Sequence, residues 1–385
     1  MKNLLPLLFL LFSIISCQTD KPNDYLIFND FLTNQVSLSL DDSTSLDFFF
    51  IHTYSDSSKN FFLSLNPITN SVDKYSLESC ELVKRIGVPI DGPEGINGIL
   101  QGFTYHNSDS IFLYIKGKVN GGIIINDEGK FIDRLRHRDV ESEARTLINH
   151  TSTGSNPTIK INDKLYFMRY PLFDTYNPSN INDQYPLSLS YDLTKKELEF
   201  DSLITYPTFY QNEIWSIFDL TFSRTFNEKK QTVISWPLLD YLLIYDLQNG
   251  KMSKKSAKSI LDKEISKPYP GTPRADQPDN TTLSGLRYRT IIYDPWKSLY
   301  YRIAVLPLSD VDGKQYFPNS YEQEFSILVL DQDFNLLKEV FFPGKVYNHF
   351  NISVNRKGLL LMKNNQFDQT LNEDSLRIDI FDLSL

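Results

Sequence analysis

A pair of strands joined by a short polar turn recurs six times along the chain, and this repeat restricts the possible folds more than any other feature. The second strand of each pair begins at Phe61, Ile111, Leu165, Thr232, Leu299 and Leu359. The spacings are 50, 54, 67, 67 and 60 residues, with a mean of about 60. The turns before these strands, such as "HNSDS", "NDK" and "DPWKS", contain the Asn, Asp, Ser and Pro residues typical of tight turns.

Each pair continues into a third strand, and five of the six continue into a fourth. Examples of third strands are "GIIINDEG" and "SILVLDQD", and examples of fourth strands are "ELVKRIG" and "LLKEVFF". The 52 aromatic residues and only four alanines favour strands over helices. Four short antiparallel strands at this period are typical of a β-propeller blade. The sequence therefore predicts an all-β, six-bladed propeller, with five or seven blades as the alternatives.

The sixth repeat has three strands and stops at the end of the chain, which leaves one blade incomplete. An open outer edge invites pairing with other chains. The alternating segment "QVSLSLDD" (35–42) precedes the first repeat and has no other assigned partner. We expect it to form the outer strand of the last blade and so to close the ring. This arrangement predicts a single propeller domain over residues 25–385.

The N-terminus has the pattern of an export signal. Lys2 is followed by twelve apolar residues over 4–15, too few for the about 20 that span a bilayer but suitable for a secretory signal. The run ends in "IISC" at Cys17, which resembles the bacterial lipobox. The alternative is a simple secretory signal with an incidental cysteine.

The lipobox pattern predicts a signal peptide over 1–16, acylation of Cys17 by palmitate or a similar chain, and a tether over 17–24. The protein would then contact the membrane through its lipid anchor alone. Gln18 follows the cysteine, which favours the outer membrane, on its periplasmic face or at the cell surface. Cys80 would be the remaining thiol, so we expect no intramolecular disulfide.

Charge and histidine spacing exclude several classes of function. The formal net charge is −9, and the basic stretches "NEKKQ" and "KMSKKSAK" are short, so nucleic-acid binding is not expected. The five histidines show no zinc-helix spacing, and "DVDG" (310–313) lacks the other ligands of a calcium loop. We predict a monomer without metal or cofactor.

Two connections are longer than blades require, at 259–285 and 307–323. Long loops in compact domains are functional or disordered. Both project from the region of blade five, so we expect a binding surface on that rim. The alternative is that they are variable loops without a role.

Blade five also contains the candidate ligand-binding residues, which are Tyr288, Arg289, Tyr300, Tyr301 and Arg302. A buried mid-strand arginine must find a partner. In a structural interpretation, Arg302 pairs with a carboxylate such as Asp294. In a functional interpretation, Arg289 and the tyrosines line the central channel and bind an anionic or sugar ligand. Strand alternation places Arg289 on the face opposite Tyr288.

Three segments, "GPEGI", "NSDSIFLY" and "YRTIIYDPWKSLYYRIAV", together with the lipobox, resemble a family of uncharacterised Bacteroidetes lipoproteins. This is the domain-of-unknown-function family numbered 4221, built as six-bladed, TolB-like propellers. The resemblance covers nearly the whole chain after the signal. It implies the fold and an envelope location, and it offers no established activity to transfer.

Two functions remain open at this point. The first is a binding or scaffold module for an unknown protein or glycan partner. The second is a hydrolase or lyase that acts on carbohydrates or peptides in the central channel, for which the sequence shows no catalytic motif. The absence of any such motif favours the binding module, although a propeller fold alone does not decide function.

Overall fold

The computed structural model describes residues 26–56, 59–136, 152–262, 267–272, 285–308 and 321–384. These residues form six small sheets, five of four strands and one of five, arranged around a central channel. The prediction of an all-β, six-bladed propeller is confirmed.

The first part of the described chain supplies two edge strands and the first two blades. It begins with β1 (Leu26–Ile27), a 3₁₀ helix (Phe28–Phe31) and β2 (Leu32–Ser39). Blade one contains β3 (Ile51–Asp56), β4 (Lys59–Asn66), β5 (Ser71–Ser76) and β6 (Leu82–Gly87). Blade two contains β7 (Leu100–Asn107), β8 (Ser110–Ile115), β9 (Lys118–Ile125) and β10 (Phe131–Arg134).

The remaining four blades follow in chain order. Blade three contains β11 (Ile159–Ile161), β12 (Lys164–Met168), β13 (Ser188–Asp192) and β14 (Glu197–Phe200), with a 3₁₀ helix (Pro178–Asn180) before β13. Blade four contains β15 (Ser223–Phe226), β16 (Gln231–Ser235), β17 (Tyr241–Asp246) and β18 (Lys251–Ser256). Blade five contains β19 (Arg287–Asp294), β20 (Leu299–Val305), β21 (Phe325–Leu330) and β22 (Leu336–Phe342). Blade six contains β23 (Ile352–Asn355), β24 (Gly358–Met362) and β25 (Ser375–Phe381).

The N-terminal strand closes the ring, as the sequence predicts. Strand β2 pairs antiparallel with β25 and places Val36 opposite Ile378, so the two ends of the domain share blade six. The strand begins three residues earlier than the predicted segment and ends at Ser39. Strand β1 adds a fifth, parallel strand to blade five beside β22, which the sequence did not indicate because β1 has only two residues.

Each blade is buried on both faces because it packs between two neighbours. In β20, Tyr301 and Ile303 belong to the apolar cluster shared with blade six. Tyr300 and Ala304 belong to the cluster shared with blade four. The period of two along a strand therefore sends alternate side chains into two different inter-blade cores.

The propeller has two distinct faces, defined by the direction of the innermost strands β3, β7, β11, β15, β19 and β23. We call the face where these strands end the turn face, because the tight turns into the second strands lie there. We call the opposite face, where the innermost strands begin, the loop face. The two long insertions start and end at the loop face, since they connect β18 to β19 and β20 to β21.

Several sequence predictions fall on residues outside the described ranges. The signal, Cys17 and the whole tether belong to 1–25, and much of the two insertions belongs to 263–266, 273–284 and 309–320. Lipidation and a binding role for the insertions therefore stay predictions. Within the described ranges, no helix has the length and apolar character needed to cross a membrane.

Candidate functional site

The central channel contains an open cavity of about 530 Å³, which we call the channel cavity. All six innermost strands contribute to its lining. Much of the wall is apolar and includes Phe103, Ile159, Ile161, Phe226, Ile292 and Val354. The volume lies within the range of roughly 300–1,000 Å³ typical of ligand pockets.

The segment Ser152–Asn156 forms the floor of the channel cavity towards the loop face. The hydroxyl of Ser152 donates to the carbonyl oxygen of Phe103 (3.2 Å) in blade two. The carbonyl oxygen of Ser155 accepts from the hydroxyl of Ser223 (2.7 Å) in blade four. Gly154 also lies against the carbonyl oxygen of Ile352 in blade six, on the far side of the ring from blade three, so the segment crosses the channel. The turn residues Glu228 and Trp296 line the other end of the cavity and are exposed, so the cavity opens at the turn face.

Two glycines allow this segment to approach the innermost strands. Gly102 has a φ of +118°, and a Cβ there would lie 2.8 Å from the Cβ of Ser152. A Cβ on Gly154 would lie 3.1 Å from the carbonyl oxygen of Ile352 in blade six. Both positions therefore favour the residue that lacks a side chain.

Hydroxyl side chains fix the innermost strands to one another around the cavity. Thr53 donates to the carbonyl oxygen of Val354 (2.7 Å), and Thr104 donates to that of Thr158 (2.6 Å). The hydroxyl of Thr225 accepts from the backbone N–H of Tyr293 (3.0 Å). Each bond joins two neighbouring blades, so the lining is held by hydrogen bonds as well as by packing.

The cavity lining also contains polar groups that have no internal partner. The hydroxyls of Thr158 and Ser353 are buried without a hydrogen bond. A buried polar group without a partner costs about 1–3 kcal/mol. Burial lowers the pKa of His52 to about 4, and burial together with the charge of Lys160 lowers the pKa of His106. Both imidazoles are therefore neutral at pH 7 and can donate or accept a hydrogen bond.

The mouth of the channel cavity combines one aromatic ring with three charged side chains. Trp296 follows β19 in the turn, and 40% of its surface is exposed. Lys160, Glu228 and Lys230 also line the cavity. Of the described lining residues, Glu228 is the single carboxylate.

Arg302 is held inside the blade interface, as the structural interpretation predicts, but its partners are neutral oxygens of blade four and not the predicted carboxylate of Asp294. Its guanidinium donates to the hydroxyl of Ser235 (2.9 Å) and to the carbonyl oxygens of Ala257 and Leu239 (2.6 Å each). These acceptors belong to blade four, and the arginine is fully buried between the blades. Burial lowers the pKa of Arg302 to about 10.

Asp294 cannot be that partner because it lies on the other side of the sheet. Its carboxylate accepts from the backbone N–H groups of Trp296 and Lys297 (2.9 and 3.0 Å) and so closes the turn. It also accepts from the hydroxyl of Tyr301 (3.2 Å), whose side chain faces blade six. Arg302 is the next residue in the strand and faces blade four.

The three candidate tyrosines lie in the blade interfaces. The ring of Tyr288 stacks on the guanidinium of Arg302 (3.6 Å to the ring centroid), and its hydroxyl donates to Asp262 (2.9 Å). Tyr300 accepts from the side-chain amide of Asn227 (2.8 Å). None of the five candidates of blade five is among the described residues that line the channel cavity.

Arg289 departs from the predicted strand alternation. The register between β19 and β20 shifts between Tyr288 and Thr290, so Arg289 is the extra residue of a β-bulge. Its guanidinium donates to the carbonyl oxygen of Phe218 (3.4 Å), and its charge adds to burial in lowering the pKa of His349. It therefore lies near the loop face, away from the cavity mouth.

Sequence reasoning missed His52 and His106, which line the cavity. Both lie on predicted first strands, and His106 directly precedes the turn "NSDS". The first strand of each blade is the innermost, so the residues at its end nearest the turn could have been predicted to line the channel. The spacing test for metal ligands cannot detect them, because they are 54 residues apart.

Comparisons with known proteins agree with this architecture. A structure of a DUF4221 member from Bacteroides vulgatus matches with a TM-score of 0.78 and 21% identity, over 91% of this chain and 97% of that one. A predicted exported protein from Bacteroides fragilis matches with a TM-score of 0.52 and 12% identity, over 93% and 98%. No curated protein matches the sequence. The model of the family "Domain of unknown function (DUF4221)" matches residues 29–340, so the chain belongs to this family.

Proposed function

We propose that the protein is a non-catalytic binding propeller that takes an apolar group of its ligand into the channel cavity from the turn face. The observation that carries this proposal is the cavity itself, with its volume of about 530 Å³ and one open end. Apolar side chains make up much of its wall, the hydroxyls of Thr53 and Thr104 are engaged in bonds between blades, and the imidazoles of His52 and His106 are neutral. This composition is typical of a site that binds by burial and orients its ligand with few hydrogen bonds.

The alternative of a hydrolase or lyase has less support in the same cavity. Glycoside hydrolysis commonly needs two carboxylates, and Glu228 is the single one in the described lining. A nucleophilic mechanism needs a hydroxyl or thiol in hydrogen-bond contact with a base. In the described part of the chain, neither His52 nor His106 has such a contact. Binding is therefore the function that these residues favour.

The neutral probe N-phenyl-1-naphthylamine tests this proposal, because its fluorescence rises when it leaves water for an apolar site. We expect saturable binding of one probe molecule per chain. The variant Ile159→Trp fills part of the cavity and should weaken binding at least tenfold. The control Ile132→Trp adds the same side chain at an exposed position on β10, where 49% of Ile132 is exposed, and should leave binding unchanged. Equal binding by both variants would refute the proposal.

We further propose that the propeller is held at the outer membrane by a lipid on Cys17. The support is the lipobox-like pattern that ends the apolar run. Metabolic labelling with an alkyne-tagged fatty acid should mark the full chain and leave Cys17→Ser unlabelled. A labelled Cys17→Ser variant would show that the anchor is elsewhere.

A further inference from the structure

The charged residues that line the channel cavity have a net charge opposite in sign to that of the whole chain. Lys160 and Lys230 line the cavity, and Glu228 is the one acidic residue in the described lining. Two positive charges and one negative charge leave an excess of one positive charge there, although the chain has a net charge of −9.

In the part of the chain that the structure describes, the two lysines also have no carboxylate to neutralise them. Across the described ranges, no carboxylate oxygen lies within 4.0 Å of either ammonium group. Other lysines at tight turns are paired, for example Lys164 with Glu199 (2.8 Å) and Lys297 with Asp382 (2.8 Å). An unpaired ammonium at the entrance of an apolar cavity is a group that an anionic ligand can use.

The interior of the cavity does not oppose an anion. The described lining contains no carboxylate besides Glu228. Burial and then the charge of Lys160 lower the pKa of His106, in keeping with a positive charge beside this part of the cavity. The polar groups towards the floor, Thr158 and Ser353, are uncharged.

From this arrangement we infer that the ligand is an amphipathic organic anion, whose apolar body fills the channel cavity and whose carboxylate or sulfonate lies at the mouth against Lys160 and Lys230. This inference rests on the proposed function, since it names the chemical class of the ligand for the same site. The exposed ring of Trp296 offers a flat apolar surface where the body of the ligand enters. A small inorganic anion would leave the apolar walls unused, and a neutral hydrocarbon would leave the lysines unused.

Two fluorescent probes that share one aromatic framework separate the apolar contribution to binding from the contribution of the charge. N-phenyl-1-naphthylamine is neutral, and 8-anilinonaphthalene-1-sulfonate carries one negative charge on the same framework. We expect the sulfonate to bind about tenfold more tightly at low salt, as two partly exposed ion pairs would give. This preference should fall as salt is added, because salt screens exposed charges.

Substitution of the lysines tests whether Lys160 and Lys230 cause the preference for the sulfonate. The double variant Lys160→Gln and Lys230→Gln should lose the preference for the sulfonate and keep its affinity for the neutral probe. The control Lys116→Gln makes the same kind of charge change at an exposed turn on the loop face and should retain the preference. Thermal melts of all variants confirm that they are folded.

The outcomes distinguish the inference from the proposed function. Equal affinity for both probes, or a preference that survives the double substitution, would overturn the anionic ligand and leave the binding function intact. Sulfonate binding that is insensitive to Ile159→Trp would also overturn the inference, because the probe would then be bound outside the cavity. Failure of the neutral probe to bind at all would overturn the proposed function itself.

Discussion

Replacing Arg302 by alanine tests whether this arginine acts as a structural link between blades four and five. Its guanidinium donates hydrogen bonds to Ser235, Leu239 and Ala257 and stacks on the ring of Tyr288. All of these contacts are buried. The substitution should therefore lower the free energy of unfolding without changing the channel cavity, which Arg302 does not line.

The expected loss follows from three contributions. Three buried acceptors lose their donor, at about 1–3 kcal/mol each. The vacated side-chain volume adds roughly 2 kcal/mol. Removing a buried charge recovers roughly 3 kcal/mol, since burial lowers the pKa of Arg302 from 12.5 to about 10. The net loss is roughly 2–8 kcal/mol, with about 5 kcal/mol as a central value.

Thermal unfolding provides the assay. At about 2.1 cal/mol/K per residue, the 385 residues have an unfolding entropy of about 0.8 kcal/mol/K, so a loss of about 5 kcal/mol lowers Tm by about 6 °C. The variant Arg302→Met retains most of the volume and should recover about 2 kcal/mol of this loss. The control Arg377→Ala removes an arginine that is 29% exposed and paired with Asp368 at 2.9 Å, at a cost below about 1 kcal/mol.

The reasoning would be refuted if Arg302→Ala and Arg377→Ala melted within about 1 °C of each other, because burial would then add nothing to the role of the guanidinium. Binding of N-phenyl-1-naphthylamine to folded Arg302→Ala should match the wild type. Loss of probe affinity without loss of stability would restore the interpretation in which Arg302 contacts a ligand.

Three further predictions concern the ring and its buried charges. Deleting 375–385 removes β25 and leaves β2 unpaired, so circular dichroism should show that the whole domain is unfolded. A truncated protein that stays folded and soluble would contradict closure of the ring by the β2–β25 pair. Lys74→Met should lose about 1–2 kcal/mol of unfolding free energy in denaturant melts, because the half-buried Lys74 packs among aromatic rings and lies 3.5 Å from Asp127. The more exposed Lys84→Met should lose less than about 0.5 kcal/mol. Burial and then the charge of Arg289 lower the pKa of His349 to about 3, so the free energy of unfolding falls as pH drops from about 6.5 towards 3. As pH is lowered from 7.5 to 4.5, the unfolding free energy of His349→Phe should therefore rise by about 3 kcal/mol relative to that of the wild type. A difference between the two proteins that does not change with pH would argue against this assignment.

The fold was predictable because its signal is repeated and local. Each tight turn specifies a hairpin, and six hairpins at similar spacing specify blades without any knowledge of contacts between them. The closing strand could be placed because the sixth repeat lacked a partner, as the pairing of Val36 with Ile378 confirms. Strand β1 could not be predicted, because its two residues pair with β22 through the three-dimensional arrangement alone.

The candidate site was less predictable because it depends on where the side chains of neighbouring blades point. The sequence correctly indicated that Arg302 needs a buried partner. It could not indicate that Asp294 lies on the opposite side of the sheet, or that a bulge at Arg289 interrupts the alternation. One inserted residue moves every later side chain of the strand to the opposite face of the sheet from the one assigned by alternation. Nothing in a single sequence marks such an insertion.

The sign of the charge at the channel mouth shows why total charge is a poor guide to the ligand of a propeller. The net charge of −9 argues against an extended nucleic-acid surface, yet it is summed over the whole chain. The fold brings the six tight turns to one face. A charged side chain there is available to a ligand when no opposite charge of the protein already neutralises it. Lys164 and Lys297 are neutralised by acids of other strands or blades, whereas Lys160 and Lys230 border the cavity and, among the described residues, have no acid within ion-pair distance. Pairing within the fold, and not composition, therefore determines which charges a ligand meets.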